Sequence, residues 1–209
     1  MKKLLLVGIV ASALAAPVFA GNSVSVDTVF NDSDVGFAVG ANFDSTIDNL
    51  DFAVDYTEIK REFAVNGGMT PSLDTSDLKV SAKYSIAAYE GLYVGAGLGI
   101  YSYQDAPGSD AHYTNKYVDL TAGIAGTTQL EKLSYDLFAG AKFTTVDQSA
   151  DLFGGEAFGN AYRFGSELSY AATDSVSINA GVTYETYEDT DVLENDDQVI
   201  ANVGLSYAF

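Results

Sequence analysis

Cysteine is absent from the 209-residue chain, and so is tryptophan. No disulfide framework, thiol nucleophile or cysteine-ligated metal is therefore available. Histidine occurs once, at His112. Basic residues are scarce, with 10 Lys and Arg against 29 Asp and Glu. Without a basic stripe to displace counterions from phosphates, nucleic acid is excluded as a partner. Proline occurs only at Pro17, Pro71 and Pro107. No apolar run approaches the roughly 20 residues that a membrane-spanning helix needs.

The first 20 residues read as a cleaved secretory signal. Lys2 and Lys3 form a charged start, Leu4 to Leu14 an apolar run, and Val18-Phe19-Ala20 a processing site just after Pro17. The expected mature chain is 21–209, one domain. Loss of the two signal lysines leaves 8 basic against 29 acidic residues, a net charge of −21.

What the remainder has in abundance is alternation. In 92–101, Leu92, Val94, Ala96, Leu98 and Ile100 share one face, and Tyr93, Gly95, Gly97, Gly99 and Tyr101 the other. Leu78, Val80, Ala82, Tyr84 and Ile86 oppose Lys79, Ser81, Lys83 and Ser85. Leu50, Phe52, Val54 and Tyr56 oppose Asp51, Ala53, Asp55 and Thr57. Side chains alternate faces in a strand, so a period of two marks two-faced strands and no helical stripe. The pattern predicts strands at 23–30, 35–43, 49–58, 77–86, 91–103, 115–125, 132–143, 160–171, 175–186 and 198–209. Most have the 9–12 residues or so of a tilted strand crossing lipid. Short turns at 44–48, 87–90, 126–131 and 172–174 are interleaved with longer loops at 59–76, 104–114, 144–159 and 187–197. Pro71 and Pro107 fall in two of those loops, away from strands that must satisfy every backbone group. The expected fold is all-β, a transmembrane antiparallel up-and-down barrel of ten strands. Eight is the alternative if 23–30 is an arm or plug.

The two faces differ in chemistry. One is apolar and nearly free of charge, as a lipid-facing band should be. The other is rich in small residues, among which Tyr93, Tyr101, Tyr117 and Phe138 would fit in a crowded interior. Phe43, Tyr84, Tyr135, Tyr170 and Tyr207 lie near the short turns, and Tyr56, Phe143, Tyr162 and Tyr184 near the long loops, where interface girdles form. The chain ends Val203-Gly204-Leu205-Ser206-Tyr207-Ala208-Phe209. In its signal, its ten alternating segments and this ending, it resembles the small outer-membrane β-barrel proteins, the OmpA- and OmpX-like, porin-like superfamily. The resemblance implies residence in the cell outer membrane of a Gram-negative bacterium, among lipid and lipopolysaccharide. It also implies that Tyr207 and Phe209 form the signal read by the barrel-assembly machinery.

Candidate chemistry is sparse. The glycines of 95–99 do not make a nucleotide loop, because Ile100 stands where the third glycine belongs and no helix follows. Barrel enzymes of this size, such as the ten-stranded omptin proteases, use His with Asp or Ser. Here a lone His112 lies in a loop near Asp110, no carboxylate pairing matches, and no catalytic residue or cofactor is assigned. By parity Lys79, Lys83, Lys132, Lys142 and Arg163 point inward, with Asp51, Asp55, Asp119, Asp136, Glu167 and Glu185. In a narrow barrel such charges must pair across the lumen, and barrels of this size are generally filled by side chains. The long loops are acidic: 187–197 carries Glu188, Asp189, Asp191, Glu194, Asp196 and Asp197 with no basic residue. Solvation explains this. Asp189, Asp191, Glu194, Asp196 and Asp197 are the weak candidates for a divalent cation, although their spacing matches no EF-hand loop. The reading is an outer-membrane barrel with a structural or surface-interaction role and a plugged lumen. The alternative is a small porin for ions or small solutes.

Overall fold

A computed structural model describes residues 22–32, 34–63, 72–104, 112–130, 132–146, 159–190 and 197–209. Ten strands are formed: β1 (Ser23–Phe30), β2 (Val35–Asp44), β3 (Leu50–Glu62), β4 (Ser72–Ser85), β5 (Leu92–Gln104), β6 (His112–Thr127), β7 (Leu133–Val146), β8 (Ala161–Ala171), β9 (Val176–Tyr187) and β10 (Asp197–Ala208). Each pairs antiparallel with its sequence neighbour, and β1 also pairs with β10, so the sheet is a closed up-and-down barrel. The seam runs from Ser23↔Ala208 to Phe30↔Ala201. β1 has the weakest alternation, yet it bonds on both sides, to β2 and to β10. It is a wall strand and not a plug, which settles the count at ten. Without it two open edges would be left, and lipid offers no water to satisfy them.

One end of the barrel carries the tight connections. In the β2–β3 turn Asn49 adopts φ 66°, a left-handed conformation that asparagine tolerates. Gly91 adopts φ 78° at the start of β5. A side chain there would also run into the Ala125 carbonyl, so glycine is required twice over. The opposite end carries the longer connections together with the short β1–β2 link, where the Asp34 amide donates to Asn31 Oδ1 at 2.8 Å.

Several strands run further toward this loop end than alternation suggested. β3 continues to Glu62 and β4 starts at Ser72, so residues expected in a 59–76 loop are paired, Arg61 with Leu73 and Ile59 with Thr75. Their outward positions, Lys60, Glu62, Ser72 and Asp74, are polar, and the apolar residues Ile59 and Leu73 point inward, so no lipid-facing apolar stripe announces them. They are held instead by inward contacts, such as the Thr75 hydroxyl donating to the Ile59 carbonyl. β6 likewise begins at His112, bonded through its backbone strand to Gln104. Lys132 departs from expectation in the other direction. It lies in the turn before β7, exposed, with its amide bonded to the Leu130 carbonyl, and takes no place in the lumen.

The exterior is apolar: Leu98, Phe164, Val26 and Leu205 are each more than half exposed. The interior is packed by matching small with large. A Cβ on Gly99 would fall inside the Tyr117 ring, and one on Gly123 would meet the Tyr93 ring. Neighbouring strands thus let two bulky rings lie across the lumen without spreading the wall.

Candidate functional site in the barrel lumen

Nearest the loop end, Phe63, Leu73, Tyr101, Tyr103, Tyr117, Ala161 and Tyr187 form a buried cluster inside the barrel, with Tyr113 packed against it. Phe63 and Leu73 are fully buried, and Tyr103 retains 1% exposure. Tyr113 stacks on Tyr103 at 5.5 Å between ring centres. These rings fill the lumen with apolar material.

Directly below is a bar of charge. Glu185 on β9 accepts from Arg61 on β3 at 3.1 Å and from Lys142 on β7 at 2.7 Å. Lys142 also reaches Asp77 on β4 at 3.5 Å, and Asp77 accepts from the Tyr117 hydroxyl at 2.6 Å. Arg61 donates further to the Tyr187 hydroxyl at 3.2 Å and sits 5.5 Å from the centre of the Tyr101 ring. β4 and β9 are five strands apart in a ring of ten, diametrically opposite. Lys142 therefore links facing walls, and the bar crosses the full width of the lumen.

A second layer lies toward the turn end. Arg163 is bonded to Asp119 and, at 2.9 Å, to the Thr121 hydroxyl. Lys79 lies 3.7 Å from both Asp119 and Asp55. Below it Lys83 pairs with Asp136 at 3.3 Å and covers the Tyr93 ring at 3.8 Å, while the Tyr93 hydroxyl donates to Asp136 at 2.6 Å. Around this layer opens a polar cavity of about 460 Å³, lined by Ser25, Asp27, Asp55, Lys79, Lys83, Asp119, Asp136, Arg163, Glu167 and Asn179 among others. It shares Asp136, Glu167 and Ser169 with a mouth of about 410 Å³ at the turn end. A smaller cavity of about 200 Å³ lies against the charge bar, lined by Arg61, Asp77, Lys142 and Glu185, so the lumen is packed most fully at the aromatic cluster and opens toward the turns.

Of the inward charges read from the sequence, Asp55, Lys79, Lys83, Asp119, Asp136, Lys142, Arg163 and Glu185 are brought into these networks. Glu167 lines the cavity without an ion pair among the described residues. Asp51 lies near the turn end, opposite Lys83 on β4 and Asp44 on β2. Sequence reasoning missed Arg61, Asp77 and Asp27. Parity finds all three: Asp27 and Asp77 lie within the expected strands 23–30 and 77–86, Asp77 on the face of Lys79, and Arg61 shares the face of Asp55 once β3 runs to Glu62.

At the loop rim Glu188 accepts from the Tyr162 hydroxyl at 2.6 Å and from the Asn160 amide at 2.8 Å. These two bonds hold its carboxyl below the usual carboxylate range. Among the weak cation candidates, Asp197 opens β10 opposite Thr186 and Asp189 follows β9. Asp191, Glu194 and Asp196 lie outside the described residues, as do residues 1–20. Among the described residues no three acidic side chains converge as a metal site. At the chain's other end, Tyr207 is exposed on the exterior and stacks with Phe209, whose amide donates to the Asn22 carbonyl at 3.0 Å.

A closed barrel with an apolar exterior and a charged, hydrogen-bonded interior is inside-out relative to a soluble barrel, and lipid is the solvent that accepts it. The chain is an outer-membrane β-barrel protein; in barrels of this kind the tight turns face the periplasm and the longer connections the outside.

No family model and no curated protein matches the chain. Similar solved structures include Neisserial surface protein A, 18% identical over 91% of this chain and 98% of that one, with a TM-score of 0.38. The NanC porin is 11% identical over 89% of this chain and 100% of its own, with a TM-score of 0.45. The KdgM porin is 13% identical over 90% and 99%, with a TM-score of 0.41. The likeness is one of fold.

Proposed function

We propose that this protein is a non-conducting, non-enzymatic barrel of the small OmpA- and OmpX-like kind, which serves as a structural scaffold and presents its acidic connections at the cell surface. The observation that carries this reading is the bar from Arg61 through Glu185 and Lys142 to Asp77, capped by the aromatic cluster. It joins opposite walls above a cavity of about 200 Å³ lined by Arg61, Asp77, Lys142 and Glu185, and the aromatic cluster packs the lumen beyond it. Buried charges held this way are costly to separate, because each would be left unpaired in a low-dielectric interior. The same reading takes residues 1–20 as the cleaved export signal. It takes Tyr207 and Phe209 as the segment recognised by the barrel-assembly machinery, and lipid and lipopolysaccharide as the surroundings of the apolar belt. The test is reconstitution of the folded protein in a planar bilayer. A flat current trace is expected; steady, reproducible unitary steps would overturn closure in favour of a small ion-conducting porin.

A further inference from the structure

The cavity in the periplasmic half has a charge pattern that the plug does not account for. All three of its cations are already matched: Lys83 by Asp136, Arg163 by Asp119, and Lys79 by Asp55 and Asp119. Two of its carboxylates are not. Among the described residues no cation lies within ion-pair distance of Glu167 or Asp27, and the hydrogen-bond partners of Asp27 are neutral, the Asn202 amide at 3.5 Å and the Ser25 side chain. A third group points the same way. Asp119 is 3% exposed, yet its Oδ1 accepts no hydrogen bond from any described residue. Carboxylate oxygens withdrawn from bulk water in this way are stabilised by a cation that brings its own hydrogen-bond donors.

The rest of the lining narrows the class. Ser25, Ser169, Asn179 and Ser206 offer hydroxyl and amide groups. Both aromatic faces are already occupied, Tyr93 by Lys83 and Phe138 by Arg163. No three described carboxylates converge at metal-ligand spacing, so a bare divalent ion has no coordination shell here. The volume of about 460 Å³ lies within the range of about 300–1,000 Å³ usual for small-molecule sites. Access is through the mouth that shares Asp136, Glu167 and Ser169.

We propose that this cavity is a binding site for a small organic cation from the periplasm, with an ammonium group held between Glu167 and Asp27 and the remainder against the hydroxyl and amide wall. The site lies below the charge bar and does not depend on whether the outer half conducts.

Putrescine is the probe, titrated into the detergent-folded protein in an isotope-edited NMR experiment that reads the side-chain amides of Asn179 and Asn202. Glutarate, of similar length and opposite charge, and Mg²⁺ at matched ionic strength are the controls. Saturable shifts with putrescine are expected, absent with glutarate and at least tenfold weaker with Mg²⁺. Glu167→Gln should weaken putrescine at least tenfold while heat-modifiable gel migration shows an intact barrel. Asp27→Asn serves as the second variant if the first fails to fold. Absence of saturation, equal response to Mg²⁺, or binding unchanged in both variants would overturn the proposal; the last would assign the signal to the acidic surface.

Discussion

Glu185 is the residue on which most of the lumen depends. It receives two cations, from strands four and two places away, and retains 2% exposure. Removing one member of a buried charge network leaves its partners unpaired, at a cost of about 3–5 kcal/mol. Glu185→Ala leaves Arg61 and Lys142 facing each other, with Asp77 the carboxylate that stays within ion-pair distance of Lys142 among the described residues. Its unfolding free energy, measured by urea titration in lipid vesicles, should fall by about that amount. Lys142→Ala should also be costly. Because the two residues touch, the double variant should lose less than the sum, by about 0.5–3 kcal/mol of coupling. Strict additivity would show that the bar is not a single network. At the rim, Glu188 tests a local bond. Its folded-state pKa is lowered by Tyr162 and Asn160, so its contribution is present above the unfolded value of about 4.3 and is lost as pH falls through the lower folded value. An NMR titration should place its midpoint below that reference, and Tyr162→Phe should move it upward. No movement would mean that the hydroxyl does not hold the carboxylate.

Each strand is a compromise between lipid and lumen, and β4 shows both sides in adjacent positions. Val80 is 51% exposed on the exterior, while Ser81 lines the cavity. Val80→Arg should destabilise the barrel by about 2–4 kcal/mol if it lies near the bilayer midplane. Ser81→Lys, directed into a wet acidic cavity, should cost much less. Equal penalties in vesicle unfolding would argue that the assignment of faces is wrong. The same contrast explains which parts of the fold were legible. Period-two alternation identified the membrane-crossing portions of all ten strands because lipid demands an unbroken apolar face. It failed beyond Glu58 and before Asp77, where the wall rises out of the apolar belt, the outward face becomes polar and the apolar residues Ile59, Phe63 and Leu73 turn inward. Arg61 was lost with those ends, whereas Asp77 stands inside the expected strand 77–86, where parity with Lys79 already assigns it to the lumen. Lys132 erred the other way, since parity cannot tell the last residue of a turn from the first of a strand. The pairing of the remaining charges was not readable at all. Which lysine meets which aspartate depends on register and on spacing around the ring, which a single strand does not carry.

At the scale of the whole molecule, the barrel is asymmetric along its axis, aromatic and ion-bridged toward the longer connections and polar, with its larger cavity, toward the turns. Side chains do not fill the whole of this lumen, and a smaller cavity lies against the charge bar. Under the proposed function, closure is therefore a local property of a few residues. Replacing Arg61, Tyr103, Lys142 and Glu185 together by serine removes the bar and the largest buried ring above it, and should join the inner cavity to the outer surface. The inward charges that remain would be Lys79, Lys83 and Arg163 against Asp27, Asp51, Asp55, Asp77, Asp119, Asp136 and Glu167. Such an excess of carboxylates concentrates cations in a narrow, low-dielectric passage. In a planar bilayer under a salt gradient, the folded quadruple variant should give unitary steps with a cation-selective reversal potential, where the parent should be silent. A silent variant that still migrates as a folded barrel would place the seal elsewhere, and steps with anion preference would contradict the charge arrangement of the inner half.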